Sequence, residues 1–300
     1  MVHPHGKMLL IVNPAAGGGR ARRGASAVCG LLRKHGVALE VHESRSADDI
    51  RAVATRAASD GFRVVAVLGG DGALHHAVNG AAGTEVDFAI FPAGNGNDAA
   101  RGLGIPLDPV AAAHAFLRGR PRFTDLLRAR FTAGATRFIV SAGGLGLDGE
   151  AARLVATRFR RLPGAVRYIA AALWVFVGFQ PAEMEVEWDD GRWRGPLLLA
   201  AVANGSSYGA GLRIEPAARM DDGLLNIVLA RPMPLLRVLE AFPILLRDGN
   251  LKWPEILRIR SHSVVLRPLG RLSCFHGDGE LPGEAPVEIA VAPAAARFIY

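Results

Sequence analysis

Three short segments in the first hundred residues collect the residue types that can hold an anion. Asn13-Pro14-Ala15-Ala16-Gly17-Gly18-Gly19-Arg20 lies between an apolar stretch, residues 8–12, and a helical pattern, residues 21–35. Successive glycines leave backbone N–H groups uncovered. A helix N-terminus adds partial positive charge, and Arg20 can add a charged hydrogen bond to phosphate. A plain flexible turn is the alternative. Gly69-Gly70-Asp71-Gly72-Ala73 follows the β-branched stretch 63–68 and precedes a helical pattern, 74–80. Ligands bind at such strand ends in open α/β sheets. An aspartate among these glycines repels phosphate unless it reaches a metal ion or binds a neutral group. Asp71 therefore reads as an organiser of Mg²⁺ or of a nucleotide, with an Asx turn as the alternative. Pro92-Ala93-Gly94-Asn95-Gly96-Asn97-Asp98 follows a further strand pattern, 88–91. Asp98 there suits a helix cap as well as chemistry.

The elements that must carry these loops alternate. Residues 37–42 add a strand and residues 48–59 a helix, with Ser46 as its N-cap. Strand–helix–strand order with apolar strands predicts a parallel, doubly wound α/β sheet. The pattern changes near Arg122. Paired strands are expected at 126–131 and 137–141, then at 184–188 and 192–203 across an Asp189-Asp190-Gly191 turn. Further strands are expected at 226–230, 256–260, 263–267 and 287–291, and helices at 150–161, 166–177 and 234–246. This predicts an α/β nucleotide-binding domain over 1–123 and a β-rich substrate domain over 124–300, with a last strand able to pack on either.

Composition narrows the class. Half of the 300 residues are hydrophobic and 21% charged, which is a globular balance. Cys29 and Cys274 are far apart and in no metal-type spacing, so both read as reduced thiols of a cytoplasmic protein. The polar start of the chain does not read as a secretory signal. The longest apolar run, 168–179, is too short to span a bilayer. It and the apolar residues 235–246 read as core helices, with lipid contact as the alternative. The net charge of +7 favours anionic partners. Arg20, Arg22 and Arg23 form one basic cluster, and Arg158, Arg160 and Arg161 another.

The ordered set Asn-Pro-x-x-Gly-Gly-Gly, Gly-Gly-Asp-Gly and Pro-x-Gly-x-x-Asn-Asp resembles the diacylglycerol kinase catalytic-domain family, which includes bacterial soluble lipid kinases and sphingosine kinases. The likeness continues in Asn204-Gly205, Gly209-Ala210-Gly211, Pro216 and Asp221-Asp222-Gly223-Leu224, and in Asp278-Gly279-Glu280. The resemblance implies an NAD kinase/phosphofructokinase-like first domain, an antiparallel β-sandwich second domain, and transfer of the γ-phosphate of ATP to a lipid hydroxyl. ATP would lie between the domains. It implies a nucleotide site of Asn13, Arg20, Ser44, Gly69, Gly70, Asp71, Gly72, Ala73, Gly94, Asn95 and Asp98. Asp71 and Glu280 become the catalytic pair, with Glu280 as general base and Asp278 its rival. Asp222 would hold a second Mg²⁺ with the backbone carbonyls near Arg219 and Leu224.

Three positions depart from the family pattern. Ala73 and Asn95 stand where threonine is usual, and His76 where glutamate often is. A lost hydroxyl contact to phosphate costs about 1.5–3 kcal/mol, although the Asn95 amide can still donate. The basic charge suits peripheral contact with an anionic membrane surface. No nucleic-acid partner is expected, and homodimer formation stays open. An NAD kinase-like enzyme and a non-catalytic lipid- or nucleotide-binding regulator are the competing readings.

Overall fold

The computed structural model of the chain describes residues 6–132, 134–147, 149–151, 154, 164–176, 178–270 and 274–300. Two compact units are formed, Met1–Asp125 with Ala294–Tyr300, and Leu126–Pro293. The Arg158, Arg160 and Arg161 cluster lies outside the described residues, as does most of the helix expected over 150–161.

The first unit runs β1 (Lys7–Val12), α1 (Ala16–Lys34), β2 (Ala38–Glu43), α2 (Ala47–Arg56), β3 (Val64–Gly69), α3 (Asp71–Ala81), β4 (Asp87–Pro92), α4 (Asp98–Gly102) and α5 (Pro109–Arg118). Strands pair in the order β2-β1-β3-β4, all parallel, as alternating crossovers require. Every residue of β3 is buried. Helix α1 packs on α5 and α2 on α3, so the central strands are covered on both faces. Caps fix where the helices start. The Ser46 hydroxyl accepts from Asp49 N–H at 3.1 Å, as expected, and Asp108 caps α5 ahead of Pro109. Helix α3 begins at Asp71, earlier than the apolar pattern suggests, because Asp71 and Gly72 form its first turn.

The second unit contains the end of β5 (Pro121–Phe131), then β6 (Thr136–Ile139), β7 (Ala142–Gly146), α6 (Gly164–Phe176), β8 (Ala182–Trp188), β9 (Gly191–Leu197), β10 (Leu199–Ala203), β11 (Leu225–Ala230), α7 (Leu235–Arg247), β12 (Ile256–Ser261), β13 (Ser263–Pro268), β14 (Cys274–Gly277), β15 (Glu280–Glu284) and most of β16 (Val287–Ile299). One antiparallel sheet has the order β12-β11-β10-β7-β14-β15. Strands β9, β8, β13 and the first half of β16 form a second antiparallel array. Leu145, Val202, Ile227 and Phe275 from one sheet and Met184, Val186, Val264 and Ile289 from the other share one buried cluster, which makes this unit a β-sandwich.

The single strand expected over 192–203 is two strands. The chain turns a corner at Leu198, whose N–H donates to Ala230 O, and passes from one sheet to the other. The last strand ends in the first unit, where Phe298 pairs with Phe88 of β4. Asp125 holds that ending by accepting the Ala294 N–H at 2.8 Å. Among the described residues no helix is long and apolar enough to cross a membrane.

Candidate active site

Parallel pairing brings the C-terminal ends of β1, β3 and β4 side by side, and each end runs into one of the three glycine-rich loops. In the first loop Gly17, Gly18 and Gly19 all have positive φ (59°, 67° and 87°), a run that only glycine adopts without strain. The chain is thereby coiled tightly before the regular part of α1. No atom lies within 4 Å of where a Gly18 side chain would start, so the surface there is open.

Arg20 reaches from this loop to the third. Its Nη2 donates to Gly94 O at 2.5 Å and to Asn95 Oδ1 at 2.8 Å. Asn95 accepts through its oxygen, which leaves its NH₂ group as a donor. The second and third loops are in closer contact still. A Cβ on Gly94 would fall 2.4 Å from Gly70 Cα, and the N–H groups of Ala93 and Gly94 both donate to Gly69 O. The Asp71 carboxylate completes the junction. Its Oδ2 accepts the Asn97 N–H at 2.7 Å and its Oδ1 the Ala99 N–H at 3.3 Å. Asn97 is left-handed (φ 58°), and its amide bonds Gly94 in both directions.

The remaining candidates of this unit sit at the same sheet edge. Asn13 follows β1 and donates its N–H to Leu68 O. Ser44 is buried just past β2, with its N–H on Val12 O at 2.8 Å. The turn that carries it is held by Asp49, which accepts from Arg45 N–H and lies 2.9 Å from His42 Nε2. The Arg45 hydrogen bond, followed by that of His42, holds the Asp49 carboxyl below its usual range. Ala73 is buried in the first helical turn beside Gly69, and Asp98 is buried at the start of α4.

The second unit has its own polar junction. Asp278 and Gly279 (φ 53° and 85°) are the tight turn between β14 and β15. Both Asp278 oxygens accept backbone N–H groups, from Val140 at 2.9 Å and from Ser141 at 2.8 Å. The same two residues meet the Asn204-Gly205 segment. Asn204 Nδ2 donates to Val140 O, and the Asn204 and Gly205 N–H groups donate to Ser141 O. Two motifs separated by over seventy residues thus converge on one backbone segment. Glu280, partly exposed, opens β15 next to this turn. His276 stacks on Tyr208, ring centroids 5.7 Å apart.

The comparisons with known proteins follow from these loops. Residues 7–129 match the description "Diacylglycerol kinase catalytic domain", and residues 139–300 match "YegS C-terminal NAD kinase beta sandwich-like domain". A protein of Mycobacterium tuberculosis named diacylglycerol kinase is 31% identical over 299 residues, 99% of this chain and 96% of the relative. The chain belongs to the diacylglycerol kinase family. A diacylglycerol kinase of Bacillus subtilis is 25% identical and covers 93% of this chain and 91% of its own. A crystal structure of a diacylglycerol kinase from Bacillus anthracis shares the fold, with a TM-score of 0.75 over 98% of this chain and 96% of that one at 20% identity.

For a diacylglycerol kinase family member the two expected metal positions read differently. Asp71 is the partly exposed carboxylate that the glycine loops supply. At the second position Asp222 Oδ1 accepts the Leu224 N–H at 3.2 Å, and Oδ2 is paired with the Arg260 guanidinium. Arg219 is paired with Asp221. Arg260 thus supplies a cation of the chain's own to one Asp222 oxygen. Among the described residues no three His, Cys, Asp or Glu side chains gather to hold an ion. Sequence reasoning missed Asn97 and Ser141 as organisers. Asn97 was detectable as an asparagine in a left-handed turn context, whereas Ser141 acts through its backbone and carries no local signal.

Proposed function

We propose that this chain is an ATP-dependent lipid kinase whose acceptor is diacylglycerol or a close relative. One observation carries the reading: three glycine-rich loops meet at one edge of a parallel sheet, bound together by Arg20 and Asp71, with open space at Gly18 of the first loop. Names of the relatives support the lipid acceptor. Backbone N–H groups of the first loop and the guanidinium of Arg20 would receive the triphosphate oxygens. Asp71 would hold the Mg²⁺ that travels with the nucleotide, and that ion would offset phosphate charge. Ser44, Asn13 and Asn95 would line the nucleotide.

The transfer is a displacement at phosphorus. The lipid hydroxyl oxygen forms a bond to the γ-phosphorus as the bond to the β–γ bridging oxygen breaks. The hydroxyl proton passes to a base, and ADP and a lipid phosphate leave. Glu280 is the better base of the two acidic residues at the hairpin. Both oxygens of Asp278 are committed to Val140 and Ser141 N–H groups, which suits a structural part. The protein would act at an anionic membrane surface from the aqueous side, in keeping with its charge of +7.

The test offers the purified protein ATP and Mg²⁺ with diacylglycerol, other lipid alcohols or NAD, and follows ADP release and the phosphorylated product. Lipid phosphate formation supports the proposal. Phosphorylation of NAD alone makes this a nucleotide kinase, and nucleotide binding without any turnover makes it a regulator.

A further inference from the structure

Helix α7 is apolar on two sides. Its inner side is explained by the core, because Val238 and Phe242 pack with Leu147, Leu198 and Ala230. Its outer side is not. Leu236 is 67% exposed, Leu239 43% and Leu246 47%, and Pro243 is exposed between them. The spacing 236, 239, 243, 246 draws one stripe along the helix, the pattern of a buried face, here turned to water. A surface helix normally carries polar residues on that side, and a contiguous apolar patch in their place marks an interaction site.

The surroundings of the stripe indicate its occupant. Arg231, Arg237, Arg247 and Lys252 lie on α7 or within a few residues of it, against Glu240 and Asp248, and Asp248 is already paired with Arg247 at 2.9 Å. Arg237 lies over the Trp253 ring at 4.9 Å. Helix α6 contributes Ala172, Val175 and Phe176 to the same core cluster as α7, and it presents Trp174, 55% exposed. Leucines flanked by cations and tryptophans suit the headgroup region of an anionic bilayer, where apolar side chains enter the acyl boundary and cations meet lipid phosphates.

We propose that α7 is the membrane-docking helix of this protein, lying flat on an anionic bilayer through Leu236, Leu239, Pro243 and Leu246. The proposal deepens the lipid-kinase reading and rests on it for the reason a bilayer is visited. A second copy of the chain is the rival occupant, but the local excess of cations disfavours placing one α7 on another.

The experiment measures co-sedimentation with phosphatidylcholine vesicles, with and without phosphatidylglycerol, for the full chain and for Leu236→Ser/Leu239→Ser/Leu246→Ser. A short-chain diacylglycerol dissolved as monomers is the acceptor in a parallel assay. Vesicle binding should fall by at least about tenfold, since three leucines lose their burial, while short-chain turnover and the thermal midpoint stay near the native values. Leu236→Ser alone, at the most exposed position of the stripe, should lower binding in the same direction with no risk to the fold. Native vesicle binding by both variants overturns the proposal. So does a native dimer that the triple variant breaks into monomers with vesicle binding unchanged, which would make α7 a self-association face. If no lipid is phosphorylated by any form, the lipid-kinase reading fails, and the vesicle result still decides the role of α7.

Discussion

The carboxylate of Asp71 accepts the backbone N–H of Asn97 at 2.7 Å, and through that bond the first turn of α3 fixes the loop that follows β4. The acidic residue that the sequence singles out for cation or nucleotide work is thus also the brace between two phosphate-type loops. Asp71→Ala removes both acceptors of that brace. A hydrogen bond to a charged group contributes about 1.5–3 kcal/mol, so the thermal midpoint should fall and turnover should vanish. Asp71→Asn keeps one acceptor oxygen and should retain more of the stability while still losing turnover. Thermal melts with paired kinase assays separate the two parts, and Asp71→Asn with native activity would leave Asp71 as a brace alone.

Close approach at Gly94 gives a second prediction. A side chain there meets Gly70 Cα and Asn97 Oδ1, at 2.4 and 2.8 Å, and neither can retreat without moving a loop. Gly94→Ala should cost about 1–3 kcal/mol and raise the KM for ATP. Gly30→Ala is the contrast. Gly30 is exposed in α1 with nothing within 4 Å, and alanine there should add about 0.5–1 kcal/mol without changing KM. Equal effects of the two substitutions on ATP binding would contradict the loop contact.

Asp189 supplies a pH prediction. In the β8–β9 turn it accepts from His262 N–H at 2.7 Å and from the Ser263 hydroxyl at 2.8 Å, with His262 Nδ1 2.8 Å away. The His262 backbone hydrogen bond, the largest favourable cause, holds its carboxyl far below the usual range. A depressed folded value means that the ionised form stabilises the native state. The contribution is therefore complete above the ordinary carboxylate pKa of about 3.9 and is lost as pH falls toward the folded value. Asp189→Asn should melt lower than the native chain at neutral pH, and the gap should narrow only in strong acid. A gap that is constant down to the acid transition would contradict the linkage.

The pairing of Asp222 with Arg260 bears on the second metal position. With a guanidinium in place, added Mg²⁺ or a chelator should leave the melting temperature of the nucleotide-free chain unchanged. Arg260→Ala removes the organic cation and should make the melt depend on Mg²⁺. Stabilisation of the native chain by Mg²⁺, lost in Asp222→Ala, would show instead that the metal displaces Arg260.

At the hairpin, Glu280→Gln keeps size and hydrogen bonding but removes the proton acceptor. Turnover should drop by roughly 10²–10⁴-fold with ATP binding nearly intact. Asp278→Asn should mainly lower stability, because its oxygens hold Val140 and Ser141. The reverse pattern would exchange the two roles.

Much of the fold was legible because its signals are local. Apolar strands running into glycines give the parallel sheet, and Ser46 marks a helix start through its own side chain. Strand β7, Ala142–Gly146, was not legible, because glycines are depleted in strands and carry no periodicity. They are there because β14 passes so close, a Cβ on Gly143 falling 2.4 Å from His276 O. The β9–β10 corner was hidden because only Leu198, an apolar residue with no turn preference, separates the two strands. Asp278-Gly279 is a strong hairpin sequence, yet strands as short as β14 and β15 left it looking like a loop. The first-unit site was visible as motifs, whereas its bracing through Asn97 needed the third dimension.

The most direct measurement follows ATP labelled at the γ-phosphate, supplied with Mg²⁺ and diacylglycerol dispersed in mixed micelles, and asks where the label goes. The account predicts label in the extracted lipid with the native chain, strongly reduced with Glu280→Gln and absent with Asp71→Asn. Label that stays in the aqueous phase with every lipid acceptor, or that transfers equally well with Asp71→Asn, would contradict it.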